Sequence, residues 1–331
     1  MPGARPGWVV VAVEAAGICG TDVAVYQGVH PATLPIVLGH EFAGRVLAVG
    51  AGVTNVAVGD RVLAQGGWTC GECSNCRGGR PDRCLSRVLL GRTIDGCFAD
   101  AVAVRATSVY ALPEDVSATT AQSMVTLATA VRAATRAGDL RDTRAAIVGP
   151  GHAGLLLLQV CVARGAREVV VFGTRPERLA LARTLGAHTV VNIRSSEIER
   201  WRSPAEGDAV DVAFEASGTA AGLAQAMAVT RTGGTVVAYG IMTTDLRGVP
   251  GYPLYASELT IVGSRGAAPA NYQEAVTLLA QRRVLVEPLV THRLSLDEAG
   301  RGFSLIIDRL EDALRIVLTP QPGGSESGRV R

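Results

Sequence analysis

The chain has 331 residues, with 32 Lys and Arg against 30 Asp and Glu, a formal net charge of +2. That length suits two domains of roughly 100–200 residues each, and 48% apolar with 19% charged residues excludes a disordered or fibrous chain. The near-neutral balance offers no basic block to neutralise phosphates, and only 4% of residues are aromatic, so nucleic acid is excluded as a partner.

Mean hydropathy is positive, +0.25. The longest apolar runs, residues 9–13 and residues 155–162 with Gln159 inside, still fall short of the ~18 residues a membrane span needs. No basic head with an apolar stretch opens the chain, so no signal peptide and no membrane partner is expected. Four of the seven cysteines cluster with metal-like spacing, which fits a reducing cytoplasm.

In chain order, residues 8–16 are Val-rich and partly alternating, which predicts a strand. A turn at residues 17–22, a second Val-rich run up to Val49 and a strand at residues 61–64 behind Gly59-Asp60 follow. This first third carries little helical period and predicts a β-rich, barrel-like domain. The pattern changes after Pro113. Residues 118–137 predict one Ala-rich helix, and from residue 145 short buried strands alternate with helices, which predicts a parallel sheet covered on both faces. Residues 269–317 predict two amphipathic helices around one short strand, and the Gly/Ser/Arg-rich stretch after Pro320 predicts a disordered tail.

The sequence Gly149-Pro150-Gly151-His152-Ala153-Gly154 is G-x-G-x-x-G between a predicted strand and a predicted helix, the context that makes this motif specific for a dinucleotide. Gly149 allows the tight turn, Gly151 the approach of pyrophosphate, and Gly154 close helix packing. The helix start then presents free N–H groups and a positive dipole to the phosphates. About 20 residues on, an NAD site offers an acid to the ribose hydroxyls. Here Gly173 stands in that place, followed by Thr174, Arg175 and, one turn later, Arg178. Arginine pairs bidentately with phosphate, so a 2′-phosphate is expected and NADP(H) is preferred over NAD(H).

Cys70, Cys73, Cys76 and Cys84 are spaced C-x2-C-x2-C-x7-C in a Gly- and Arg-rich loop. Four thiolates close a tetrahedral zinc site completely, so a structural Zn2+ is expected. An iron–sulfur cluster is the alternative; the long last gap and the lack of a proline after Cys84 favour zinc. Cys161 lies in an apolar helical run and is expected in a core, and Cys97 lies in a turn and is expected to be a spare thiol.

The stretches GICGTD (residues 17–22), GHEFAG (39–44) and VGDRV (58–62), with the four-Cys lobe, GPGHAG and EASG (215–218), resemble the zinc-dependent medium-chain dehydrogenase/reductase family on its sorbitol and threonine dehydrogenase side. The resemblance implies an α/β protein: a Rossmann doubly wound parallel sheet inserted in a GroES-like β-barrel catalytic domain. The catalytic domain then takes residues 1–126 and 263–331, with the zinc lobe at about 66–90, and the dinucleotide domain takes 127–262. It also implies homodimers or homotetramers and a small-molecule alcohol or ketone substrate. In this family the Cys and His of the first two stretches hold a catalytic zinc, which maps to Cys19 and His40. Thr21 matches the hydroxyl that passes the alcohol proton outward, Asp22 an acid that orients a ligand, and Thr129 a residue packed against nicotinamide.

Two departures stand out. The third metal ligand of this branch falls at Val125, which cannot bind a metal; Glu41, beside His40, is the carboxylate expected to replace it. About 18 residues precede Cys19, fewer than in the family, so its first hairpin is expected to be missing. The expected activity is NADP(H)-linked, zinc-assisted interconversion of a secondary alcohol (polyol, sugar or cyclitol) and a ketone. A zinc-free double-bond reductase fits Val125 but not Cys19 with His40. A cofactor-binding protein with lost activity would lack both of those residues.

Overall fold

Strand β1 (Trp8–Gly17) carries valines on both faces, and Val9, Val10, Val11 and Val13 are all buried. Such a strand must be covered on both faces, and along its two edges it pairs with three other strands. The computed structural model, which describes residues 4–202, 208–242 and 245–320, continues with β2 (Phe42–Val49), β3 (Arg61–Ala64), β4 (Gly67–Trp68), β5 (Val88–Leu89), β6 (Ala101–Arg105) and β7 (Val109–Ala111). β1 pairs antiparallel with β2 and with β6, β2 with β3, and β3 with β7. β4 and β5 form a separate two-stranded ribbon at the base of the cysteine loop. The barrel interior is Val9, Val11, Phe42, Val46, Val62, Leu90, Val102 and Val104. Each such side chain contributes roughly 1.5–3 kcal/mol by leaving water. Cys97 is fully buried among them, so it is a core residue and not a spare turn thiol; burial pushes its thiol well above the usual range.

The second sheet consists of β8 (Arg144–Val148), β9 (Glu168–Gly173), β10 (Thr189–Asn192), β11 (Val210–Glu215), β12 (Thr230–Ala238) and β13 (Thr260–Gly263). All are parallel, in the order β10-β9-β8-β11-β12-β13. This is the doubly wound order, with its switch point between β8 and β11. Leu155 to Leu158 of the helix His152–Ala163 are fully buried, as a helix apolar all round must be. Cys161 is buried in the same helix, as its apolar surroundings require. Trp201 packs edge-on to Phe172 at 5.1 Å between ring centroids.

The chain then returns to the first sheet with β14 (Val290–Ser295) and β15 (Arg315–Thr319), which pair in parallel; the end of β15 pairs with the end of β1. Ile18, Val23, Leu294, Phe303, Ile316 and Leu318 form a small core there, which seats the turn after β1.

Two compact units result, residues 1–125 with 290–331 and residues 126–289. The return thus comes at Val290, later than the boundary at 263 read from the sequence. The helix Pro269–Ala280 stays with the parallel sheet: Arg164 forks onto Glu274 at 2.8–2.9 Å, and Gln159 brackets the backbone of Leu285. The single helix expected over 118–137 is two, Ala118–Ala121 and Met124–Ala137. Gln122 lies at the break and is fully buried, with its side chain committed to Thr119, Ser123 and Arg315. Among the described residues after 263 there are two strands instead of one, β15 being the addition. The expected tail, residues 321–331, lies outside the described residues.

Candidate active site and metal centres

The four cysteines expected to share an ion converge. Their sulfurs lie within 4.8 Å of one another, with Cys84 to Cys70 at 3.5 Å and Cys70 to Cys76 at 3.9 Å. Tetrahedral zinc with sulfurs at about 2.3 Å requires a sulfur–sulfur spacing of about 3.8 Å, so the donor set fits the metal. None of the seven cysteines is in a disulfide. The loop aims backbone N–H groups at the sulfurs: Cys73 N–H donates to Cys70 Sγ at 3.4 Å, and Cys70 N–H to Cys84 Sγ at 3.3 Å. Amide donors from Leu85 and Cys76 draw the Cys73 thiol down to about 6, and those of Cys73 and Glu72 lower Cys70. Burial, then the neighbouring Cys73, drive Cys76 up to about 12. A shared cation removes that conflict by letting all four ionise.

The second cluster is assembled from distant segments. Cys19 caps the short helix Gly20–Tyr26 just after β1, and His40 and Glu41 precede β2. Ligand atoms of Cys19, His40 and Glu41 all lie within 4.8 Å of one another. Asp22, 1% exposed, holds the group in place. One of its oxygens accepts the Cys19 N–H at 2.9 Å; the other accepts the Gly39 N–H at 3.2 Å and meets His40 Nδ1 at 3.1 Å. That leaves His40 Nε2 pointed at the cluster, 3.9 Å from Glu41 Oε1, the arrangement a metal-bound imidazole needs. Burial opposes a charged His40, but Asp22 and then Cys19 outweigh it and hold its pKa well above the ordinary value. Gly39 has φ +95°, and a Cβ there would lie 2.4 Å from the Phe98 ring, so only glycine can precede His40.

Glu41 is 1% exposed and divided in its contacts. Its Oε1 faces His40, while its Oε2 accepts a hydrogen bond from Arg315 Nη2. Arg315, 2% exposed, also donates to Gln122 Oε1 at 2.9 Å and to the Ile18 carbonyl at 3.1 Å. Glu41 thus pairs with a base behind the cluster and still presents its other oxygen to His40. Arg315 and Gln122 escaped the sequence reading. The available signal was one arginine at the head of β15, flanked by Leu314 and the apolar run 316–318, since a charge set among apolar residues is nearly always paired when buried. In the structure Gly17 makes room for this arginine: a Cβ there would lie 1.9 Å from the Arg315 guanidinium. Thr21 is half-buried on the first turn after Cys19, and Val125 is half-buried near the start of the helix Met124–Ala137.

In the second unit the glycine motif joins β8 to the helix His152–Ala163, as expected. Gly149 has φ +107° and leaves no room for a Cβ, which would lie 2.7 Å from Ser217 N. A Cβ on Gly154 would lie 2.1 Å from the Gly149 carbonyl oxygen, whereas Gly151 faces open space, as close approach of a ligand requires. His152 is the first residue of the helix. Glu215, fully buried at the end of β11, accepts on one oxygen from Ser217 N–H at 2.7 Å, Ser217 Oγ–H at 2.6 Å and Gly218 N–H at 2.8 Å. This sets the EASG turn against Gly149. Thr174, Arg175 and Arg178 are half-buried at the end of β9 and the start of the helix Pro176–Thr184. Thr129 Oγ1 donates to the Thr126 carbonyl at 2.8 Å and meets the Tyr239 hydroxyl at 2.9 Å. Tyr239, directly after β12, was not singled out from the sequence.

Residues 5–114 match the alcohol dehydrogenase GroES-like domain, and residues 153–281 match the zinc-binding dehydrogenase domain. A sorbitol dehydrogenase of Halalkalibacterium halodurans is 30% identical over 94% of this chain and 91% of that protein. The chain belongs to the zinc-type medium-chain alcohol dehydrogenases. It is an oxidoreductase of that family, with the α/β Rossmann and GroES-like architecture that the motifs imply. Among solved structures, a protein of Sinorhizobium meliloti with NADP bound is similar with TM-score 0.91 and 28% identity, over 96% of this chain and 94% of that one. Galactitol-1-phosphate dehydrogenase of Escherichia coli is similar with TM-score 0.87 and 26% identity, over 97% and 94%. No helix among the described residues is long and apolar enough to cross a membrane.

Proposed function

We propose that this dehydrogenase interconverts a secondary alcohol of the polyol, sugar or cyclitol type and its ketone, with NADP(H) as preferred cofactor and with a zinc ion held by Cys19, His40 and Glu41. The observation that carries the reading is the convergence of those three ligand atoms within 4.8 Å, although Val125 occupies the position of the usual third ligand. Zinc at such a site polarises an alcohol or carbonyl oxygen. Cys19 and Glu41 contribute negative charge, and His40 binds through Nε2 because Asp22 engages Nδ1. Arg315 orients the Glu41 carboxylate so that one oxygen is committed and the other faces His40. Thr21, on the turn after Cys19, is the hydroxyl that takes up the alcohol proton. The convergence argues against the zinc-free double-bond reductase.

The substrate class is supported by relatives that act on sorbitol and galactitol 1-phosphate. The cofactor choice is supported by Gly173 with Arg175 and Arg178, and by the NADP bound in the similar Sinorhizobium protein. The dinucleotide supplies the hydride chemistry; Gly149, Gly151, His152 and Gly154 receive its pyrophosphate, Thr174, Arg175 and Arg178 its 2′-phosphate, and Thr129 its nicotinamide. The four-Cys lobe is structural. A cytoplasmic homodimer or homotetramer fits this family. A panel of polyols assayed with NADP+ and NAD+, on protein of measured zinc content, tests the reading. Polyol oxidation with NADP+ that requires the second zinc supports it, and undiminished turnover at one zinc per chain rejects it.

A further inference from the structure

Gly173 is not a glycine because of its backbone. Its φ lies outside the left-handed region, and it sits in regular parallel pairing opposite Asn192 at the end of β9. Space is what excludes a side chain there. A Cβ on Gly173 would lie 2.6 Å from Cγ and 2.8 Å from Cδ of Pro150, and 3.1 Å from Cδ2 of Leu179. Pro150 cannot swing away like the end of a flexible chain, because its ring fixes its own backbone torsion. The residue before it is tied down twice. Gly149 N–H donates to the Phe172 carbonyl at 2.9 Å, and Gly149 packs against the turn at Ser217. Leu179 is 5% exposed and belongs to the next helix, so it closes the other side.

We infer that Pro150 and Gly173 form a coupled specificity pair: the proline ring fills the space of an acidic side chain at residue 173, and so commits the site to a dinucleotide carrying a 2′-phosphate. The inference deepens the NADP(H) reading above and rests on it. An acid at this place selects NAD by accepting from the ribose hydroxyls. Replacing Gly173 by Asp is the single change that should reverse the preference, yet with Pro150 present the new carboxylate has no room to take that position. Selectivity is therefore encoded in the phosphate-binding loop as well as at the end of β9.

The test is a cycle of Gly173→Asp, Pro150→Ala and the double variant, titrated with NADPH and NADH by nucleotide fluorescence without substrate. Gly173→Asp alone should not bind NADH more tightly than the parent. The double variant should bind NADH roughly tenfold or more tighter than Gly173→Asp alone, the size of a charged hydrogen bond. Equal gains with and without Pro150→Ala overturn the inference. Should Gly173→Asp fail to fold, Gly173→Ala carries the steric half of the test. Its melting temperature should fall, and Pro150→Ala should recover part of that fall; strictly additive losses overturn the coupling. Parent protein that prefers NADH overturns the cofactor reading and the specificity claim together, while the melting cycle reads the packing alone.

Discussion

The two metal clusters of the first unit are built on opposite plans. The four thiols come from one loop of fifteen residues, 70–84, and their supports are amides of that loop and of Leu85 just beyond it. The Cys19, His40 and Glu41 cluster takes its ligands from two segments and its supports from three: Asp22 on the helix after β1, Gln122 in a helix break, and Arg315 on the last strand. The first is complete in itself and offers no open position, as a structural site must. The second depends on buried charges held by distant partners, and it presents three donors where a catalytic zinc keeps a fourth place for water or substrate. A local loop suffices to bring four thiols together, whereas Cys19, His40 and Glu41 are held by a network whose members come from three separate parts of the first unit.

The contrast can be broken at several points. Glu41→Ala should have the largest effect on turnover, a loss of about a hundredfold or more, with one zinc lost and the four-Cys site filled; metal analysis beside the assay reads both. If the four-Cys zinc leaves as well, the clusters are not independent. Arg315→Met should act chiefly on stability. Glu41 would then be a buried carboxylate without its cation, at a cost of about 3–5 kcal/mol, which a denaturant titration measures. A change within error would mean that Arg315 has no part in holding Glu41. Asp22→Asn should weaken the second zinc about 10–100-fold, since it removes the charge behind His40, and chelator competition should show no matching change at the four cysteines.

The two clusters also differ in how far they can be read without coordinates. The C-x2-C-x2-C-x7-C spacing is local, and it marks the first cluster unaided. Cys19, His40 and Asp22 are legible only as parts of longer stretches, and Glu41 only because Val125 cannot serve. Arg315 lies 274 residues from Glu41, a pairing no spacing rule reaches. Cys97 follows a glycine in what reads as a turn, yet the chain around it pairs with Val37 to Gly39 and carries the thiol into the barrel. The late return at Val290 has a similar cause: the helix Pro269–Ala280 is amphipathic whichever unit it covers, and long-range contacts such as Arg164 with Glu274 tie it to the parallel sheet. The alternation from β8 to β12 was legible because each of these strands contains a short apolar run bounded by turns, whereas β13, mostly exposed at the sheet edge, was not singled out.

The dinucleotide site extends the comparison to a smaller effect. Arg175→Ala should weaken NADPH roughly tenfold and leave NADH nearly unchanged, the loss expected of one charge-assisted phosphate contact. Equal losses for both nucleotides would place Arg175 outside the 2′-phosphate site.

Two zinc ions are expected in this chain, a closed structural one at the four cysteines and a second bound through Glu41. Zinc per chain, measured on the intact protein and on Glu41→Ala alongside turnover, tests this most directly. Close to two ions are expected in the parent and close to one in the variant, with activity lost alongside the second ion. One ion in a fully active parent, or two ions retained in Glu41→Ala, would contradict it.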